Sequence, residues 1–133
     1  MALRILGLGV DVVGVDRVER AVARLGEGFL EEFLRPSETG QCFRSRQPLS
    51  SCASVFAAKE ALFKALGTGR SGALRWKDVE VSLRGGTGPS LSLTGETSRA
   101  AAELGVRRVH LDLARSRDAE GPGLAVALVV LEG

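Results

Sequence analysis

Glu60 and Lys64 stand four residues apart, the acid on the N-terminal side, within the apolar run Phe56 to Leu66. On a helix that spacing puts both side chains on one face. Such a pair is ordinarily a surface ion pair that contributes about 0.3–0.5 kcal/mol. Here the same face carries only Ala53 and Ala57 above it, and small side chains leave room for a ligand against the helix. A carboxylate there can hold a hard cation, and an ammonium one turn on can neutralise phosphate oxygens. Asp11 offers a second carboxylate where an apolar strand ends; the ordinary role of such an aspartate is to bond nearby backbone in a turn. Mg²⁺ takes one or two protein carboxylates plus substrate phosphates and water, so Asp11, Glu60 and a pyrophosphate would together form a plausible shell.

Other chemistries fail on inspection. Gly7-Leu8-Gly9 lacks the third glycine of a dinucleotide fingerprint, because Val12 stands there, and no glycine-rich Lys-Ser/Thr run makes a P-loop. The loop Gly67-Thr68-Gly69 follows a helix, and a helix C-terminus repels anions. Phosphate binding there needs side chains such as Lys64 and Arg70, or backbone N–H groups of the loop; otherwise the loop is a simple helix stop. His110 is the sole histidine and lies in an expected strand, where a core or surface role outweighs catalysis. Neither a zinc constellation nor a Ser-His-Asp set can be assembled.

The elements that must position these residues follow from periodicity. Leu3 to Val10 reads as a buried strand that leads Asp11 out of a sheet. Asp16 and Glu19 resemble a capping box, which starts a helix at Arg17 that runs to Leu25 and stops at Gly26. Its apolar stripe is Val18, Ala21, Val22 and Leu25, leaving Arg17, Arg20 and Arg24 on the outward side. A short helix over 29–34 should end before Pro36, and Ser37 can cap a third through Phe43. The polar stretch 41–51 reads as a loop leading to the main helix, 51–66, whose core face is Cys52, Val55, Phe56, Phe63 and Leu66. Val79 to Leu83 and Ser90 to Leu93 alternate as a hairpin about a turn at 85–89. A helix over 97–104 and closing strands at 109–113 and 124–131 complete the order. That order predicts an α+β fold, a mainly antiparallel sheet packed against helices, in a single domain over 1–133.

Composition sets the remaining limits. The 133 residues suffice for one core and are 44% hydrophobic and 26% charged, as in an ordinary globular domain. Eighteen basic against sixteen acidic residues is too balanced for general nucleic-acid binding, so any electrostatic partner is met locally. The apolar N-terminal run is interrupted at Asp11, lacks a cleavage pattern and is too short to span a bilayer. Cys42 and Cys52 are the only thiols, and without secretory signs they are expected to be reduced. The expected setting is the cytoplasm, with no membrane and no nucleic-acid partner.

Two segments carry a resemblance. Gly7-Leu8-Gly9-Val10-Asp11-Val12-Val13, and then Phe56-Ala57-Ala58-Lys59-Glu60-Ala61-Leu62-Phe63-Lys64-Ala65-Leu66-Gly67-Thr68-Gly69, resemble the signature segments of the holo-acyl carrier protein synthase family, in order and separation. The likeness covers nearly the whole chain. It implies a 4′-phosphopantetheinyl transferase-like fold and Mg²⁺-dependent transfer of 4′-phosphopantetheine from coenzyme A to a carrier-protein serine, with release of 3′,5′-ADP. It implies that Asp11 and Glu60 bind the metal and that Lys64 contacts the phosphates, with Gly67, Thr68 and Gly69 beside the coenzyme. Glu60 then either orients a water or accepts the serine proton. A homotrimer with sites between subunits is implied too, with an acyl carrier protein docking on the first helix at Arg17 and Arg24.

This chain departs from the family at the nucleotide end. Val55 stands where an arginine is common, Gly14 where glutamate is frequent, and Gly88 where a basic residue precedes the hairpin proline. Asp112-Leu113-Ala114-Arg115 replaces a Ser-hydrophobic-Ser/Thr-His pattern and is followed by an apparent insertion through Gly123. Arg115, a forked donor charged at any working pH, and Arg46 are the residues expected to compensate at the 3′-phosphate of coenzyme A. Two other readings stay open: a carrier-protein or coenzyme A binding relative with weakened transfer, and a nucleotide-processing enzyme using the same Mg²⁺ carboxylates. The carrier, of fatty-acid or polyketide synthesis, is not specified.

Overall fold

The computed structural model describes residues 2–67, 75–118 and 121–133. Strand β1 (Ile5–Gly14) is followed by helices α1 (Val15–Leu25), α2 (Gly28–Phe33), α3 (Pro36–Phe43) and α4 (Pro48–Leu66). A 3₁₀ turn (Trp76–Asp78) leads into the hairpin β2 (Val79–Gly85) and β3 (Gly88–Leu93). Helix α5 (Gly95–Leu104) and the strands β4 (Arg108–Asp118) and β5 (Gly121–Glu132) end the chain. The larger sheet has the order β1-β5-β4 and the smaller is β2-β3, with every ladder antiparallel. The expected α+β class and element order are therefore observed.

Helix α4 is the centre of the molecule. Its Ala53, Ala57 and Ala61 have no exposed surface, and neither do Val55, Leu62 or Cys52. On the sheet side, Gly7, Gly9, Ala125 and Ala127 offer almost no side chain, so helix and strands approach closely. A Cβ on Gly9 would fall on the Ala61 carbonyl oxygen, and one on Gly7 on that of Ala65. Small residues on both surfaces thus bring α4 onto the sheet. Ala53 and Ala57, expected to leave room for a ligand, are filled against the protein itself.

Several boundaries differ from expectation. Strand β1 continues past Asp11 to Gly14 because β5 supplies ladder partners throughout, with Asp11 opposite Ala127. Helix α1 starts at Val15 without a side-chain cap, and Asp16 pairs with Arg20 at 3.4 Å instead. Val15 joins its buried stripe, whereas Leu25 is 60% exposed. Pro36 and Pro48 open α3 and α4, since proline lacks only an N–H that a first turn leaves unbonded. Ser37 caps nothing; its hydroxyl donates to Glu80 at 2.9 Å. Within the apparent insertion through Gly123, Ser116 pairs with Leu124 and Asp118 with Gly121, and residues 119–120 lie outside the described residues.

At the middle of α4, Lys59 and Glu38 form an ion pair at 2.8 Å with neither side chain exposed. Lys59 Nζ also donates to the carbonyls of Phe33, at 2.6 Å, and Trp76, at 3.0 Å. Glu38 accepts from the backbone N–H groups of Val81 and Arg35, each at 2.7 Å. Burial lowers the Lys59 pKa, opposed by the hydrogen bond that Lys59 donates to Glu38. Phe33, Phe56, Phe63 and Trp76 surround this end of the core, with Phe56 and Trp76 stacked at 5.0 Å. Removing one partner of such a pair leaves a buried charge, so Lys59→Met should lower stability by about 3–5 kcal/mol in urea unfolding. Lys59→Met combined with Glu38→Gln should recover part of that; a single-variant loss below about 1 kcal/mol would show that the pair is not structural.

Candidate active site

The alternation of β1 puts Gly7, Gly9, Asp11 and Val13 toward α4 and Leu8, Val10 and Val12 outward. Asp11 therefore points at the helix from inside the strand and is only 15% exposed. Lys64, in the last turns of α4, donates to Asp11 Oδ1 at 2.8 Å and to the Val10 carbonyl at 3.1 Å. The hydrogen bond to Asp11 raises the Lys64 pKa, and the charge of Glu60 one turn earlier adds to the effect. Asp11, Glu60 and Lys64 are thus brought to one place. Gly67 closes α4 in the left-handed conformation, φ 76°, and is exposed. Thr68 and Gly69, like Arg70, lie outside the described residues.

Arg46 and Arg115 lie elsewhere, in a cavity of about 790 Å³ between the α3–α4 connection, β2 and β4. Arg44 and Arg84 line it as well, and among the described residues no carboxylate does. Arg115 turns back to α4, donating from Nε to Ser54 Oγ at 3.2 Å and from Nη2 to Ser51 Oγ at 3.0 Å. Val55, the next residue, is wholly buried. At 3.6 residues per turn Ser51 points away from Glu60 and Lys64, and β4, which brings Arg115, and β1, which brings Asp11, lie at opposite edges of the sheet. The acid–lysine cluster and the arginine cavity therefore occupy opposite flanks of one helix. Arg44 and Arg84 escaped the sequence reading because nothing local distinguishes them from other surface arginines; only the fold gathers them.

Arg17 and Arg24 are exposed on α1, beside exposed Leu25. His110, 52% exposed, contacts Glu132 at 2.7 Å, a surface role as expected. Among the described residues no group of three or more His, Cys, Asp or Glu side chains could hold a metal, so Asp11 and Glu60 stand as a pair. Two carboxylates are the number that Mg²⁺ takes from a protein when substrate phosphates and water complete its shell.

The family model of the 4′-phosphopantetheinyl transferase superfamily matches residues 7–126, which include every residue of both clusters. The chain belongs to that superfamily. A holo-[acyl-carrier-protein] synthase of Anaeromyxobacter sp. (strain K) is 47% identical over 132 residues, 97% of each chain. That of Koribacter versatilis is 38% identical over 128 residues, 96% of this chain and 98% of the other. The crystal structure of the Neisseria meningitidis synthase superposes with a TM-score of 0.85 at 30% identity, covering 98% of this chain and all of that one. The Helicobacter pylori synthase in complex with coenzyme A gives 0.75 at 34% identity, covering 93% and 98%. The transferase fold expected from the signature segments is thus observed across the chain.

Proposed function

We propose that residues 1–133 act as one cytoplasmic domain that transfers 4′-phosphopantetheine from coenzyme A to a serine hydroxyl of an acyl carrier protein. The observation that carries this reading is the meeting of Asp11, Glu60 and Lys64 between β1 and α4 in a chain of this superfamily. The serine oxygen forms a bond to the β-phosphorus of coenzyme A while the bond to the departing 3′,5′-ADP breaks. Asp11 and Glu60 would hold Mg²⁺, which when bound neutralises charge on the phosphoryl oxygens and leaving group. Lys64, 53% exposed, can exchange Asp11 for a phosphate oxygen and stabilise the charge that develops there. Glu60 either accepts the serine proton or orients a water that does. Free cysteines and a coenzyme A donor support the cytoplasmic assignment.

The carrier docks, in this reading, on the arginine side of α1. Arg17 and Arg24 would meet an acidic helix while Leu25 supplies apolar contact. The nucleotide end belongs in the arginine cavity, where four guanidinium groups suit a 3′-phosphate. Since that cavity and the acid–lysine cluster flank α4 on opposite sides, we assign each working site to two neighbouring copies of a homotrimer. The outer sheet face supports this, because Leu8, Val10, Val12, Leu124 and Leu128 are 38–61% exposed there.

In an intact-mass assay the wild type should add the phosphopantetheine mass to an apo carrier. Asp11→Ala and Glu60→Ala should each lower turnover by at least about 100-fold, and near-wild-type turnover at saturating Mg²⁺ would sink the metal assignment. Arg17→Glu should raise the carrier KM and leave the coenzyme A KM alone; an unchanged carrier KM would exclude that face. Light scattering should report a trimer at micromolar concentration and smaller species for Leu128→Lys, whereas a monomeric wild type would refute the shared site.

Arg115 gives a sharper test of the nucleotide end. A charge-assisted hydrogen bond contributes about 1.5–3 kcal/mol, so Arg115→Ala should raise the coenzyme A KM by roughly 10- to 150-fold. The KM for 3′-dephospho-coenzyme A should change far less. Equal effects on the two substrates would show that Arg115 does not read the 3′-phosphate.

A further inference from the structure

Three serines line the arginine cavity: Ser45 in the α3–α4 connection, and Ser51 and Ser54 on α4. Ser51 and Ser54 stand three residues apart, which makes them neighbours on the helix surface, and each is only 1% exposed. A hydroxyl has one hydrogen to give, so its partners fix the direction of each bond. Ser54 Oγ lies 3.3 Å from the Ser50 carbonyl, which can only accept; the Ser54 hydrogen therefore goes there, and a lone pair is left for Arg115 Nε at 3.2 Å. Ser45 Oγ likewise gives its hydrogen to the Cys42 carbonyl at 2.7 Å. The 2.8 Å contact between Ser45 and Ser51 must then run from Ser51 to Ser45, so Ser51 is an acceptor toward Arg115 Nη2 at 3.0 Å. Two backbone carbonyls thus set both α4 hydroxyls to receive the guanidinium.

A guanidinium carries five N–H donors arranged along two forked edges. One edge, Nε with a hydrogen of Nη2, is taken up by Ser54 and Ser51. The other, Nη1 with the second hydrogen of Nη2, remains for a ligand, and Arg115 is itself exposed and lines the cavity. Such an end-on fork matches two oxygens of one phosphate. An ammonium could supply the charge but not a second fork while bonding both hydroxyls.

We infer that Ser51 and Ser54 are positioning residues that hold one edge of Arg115 so that its other edge meets the 3′-phosphate of coenzyme A, and that Ser45 orients Ser51 for this role. Reading the 3′-phosphate rests on the proposed binding of coenzyme A in the cavity; the hold on Arg115 does not.

Alanine is well tolerated in a helix, so Ser51→Ala and Ser54→Ala should fold. Calorimetry on the full chain without a carrier should show the wild type binding coenzyme A more tightly than 3′-dephospho-coenzyme A. The double variant Ser51→Ala, Ser54→Ala should bind coenzyme A roughly tenfold more weakly, about the loss of one charge-assisted hydrogen bond, and 3′-dephospho-coenzyme A nearly as before. Ser45→Ala should lower the preference in the same direction by a smaller factor. Arg115→Lys should lose most of the preference although it keeps the charge. In an Arg115→Ala background the serine changes should have no further effect. An equal fall for both ligands, a serine effect that persists without Arg115, or a lysine that keeps the preference would overturn the assignment.

The hold is read separately by NMR. The Nε–H of Arg115, identified by its absence from Arg115→Lys, should exchange slowly with water in the free wild type and be lost to fast exchange in Ser54→Ala. An Nε–H that exchanges equally fast in both would overturn the hold itself. A protected Nε–H in a chain that binds the two ligands alike would refute the placing of the 3′-phosphate in this cavity and leave the hold standing.

Discussion

The buried ion pair between Lys59 and Glu38 is the constraint on which the rest of the structure depends. It ties α4 to the end of α2 through Phe33, to the 3₁₀ turn through Trp76, to α3 through Glu38 and to β2 through Val81. Two ions removed from water cost several kcal/mol each before they attract one another. That cost is offset only because the ammonium makes all three of its hydrogen bonds and the carboxylate accepts from two backbone N–H groups besides. A hydrophobic pair could fill the same space, but it would not set the rotation of α4 about its axis. Lys59 does so by reaching three fixed partners. Glu60, next in sequence, is then turned about 100° away, toward the flank where β1 delivers Asp11.

The second constraint is steric. Gly9 against Ala61, and Gly7 against Ala65, let β1 lie within backbone contact of α4. Only because the strand runs so close can a short aspartate side chain at position 11 meet an ammonium extended from Lys64. A larger residue at either glycine would move the strand away and separate the carboxylate from its partner. The ion pair thus fixes the rotation of the helix, and the glycines fix its distance from the sheet.

How much of this was legible in the sequence depends on how local each signal is. The helix stops at Gly26, Gly67 and Gly105, the hairpin about 85–89 and the four-residue spacing of Glu60 and Lys64 are contained in a few neighbouring residues, and the structure places them as read. Strand length is not local. Asp11 reads as a strand end by polarity, yet β5 extends the ladder past it and Lys64 satisfies its charge. Ala53 and Ala57 read as an open face because an absent side chain looks the same whether it admits a ligand or a sheet. Glu38 and Lys59 are 21 residues apart and look like surface charges, and only the fold shows that they are enclosed.

The departures at the nucleotide end follow the same logic of position over identity. With Val55 wholly buried, α4 itself presents no cation there, and the position is taken up by the core. Arg115 approaches from β4 and is held over the same turns of α4 by Ser51 and Ser54. A guanidinium anchored by two neutral hydroxyls keeps its whole charge for an anion, whereas one paired with a carboxylate would not. Among the described residues the lining includes no acid, so that charge adds to those of Arg44, Arg46 and Arg84. The cationic character of the pocket therefore belongs to the space between α3, α4, β2 and β4, to which the α3–α4 connection, β2 and β4 each contribute arginine.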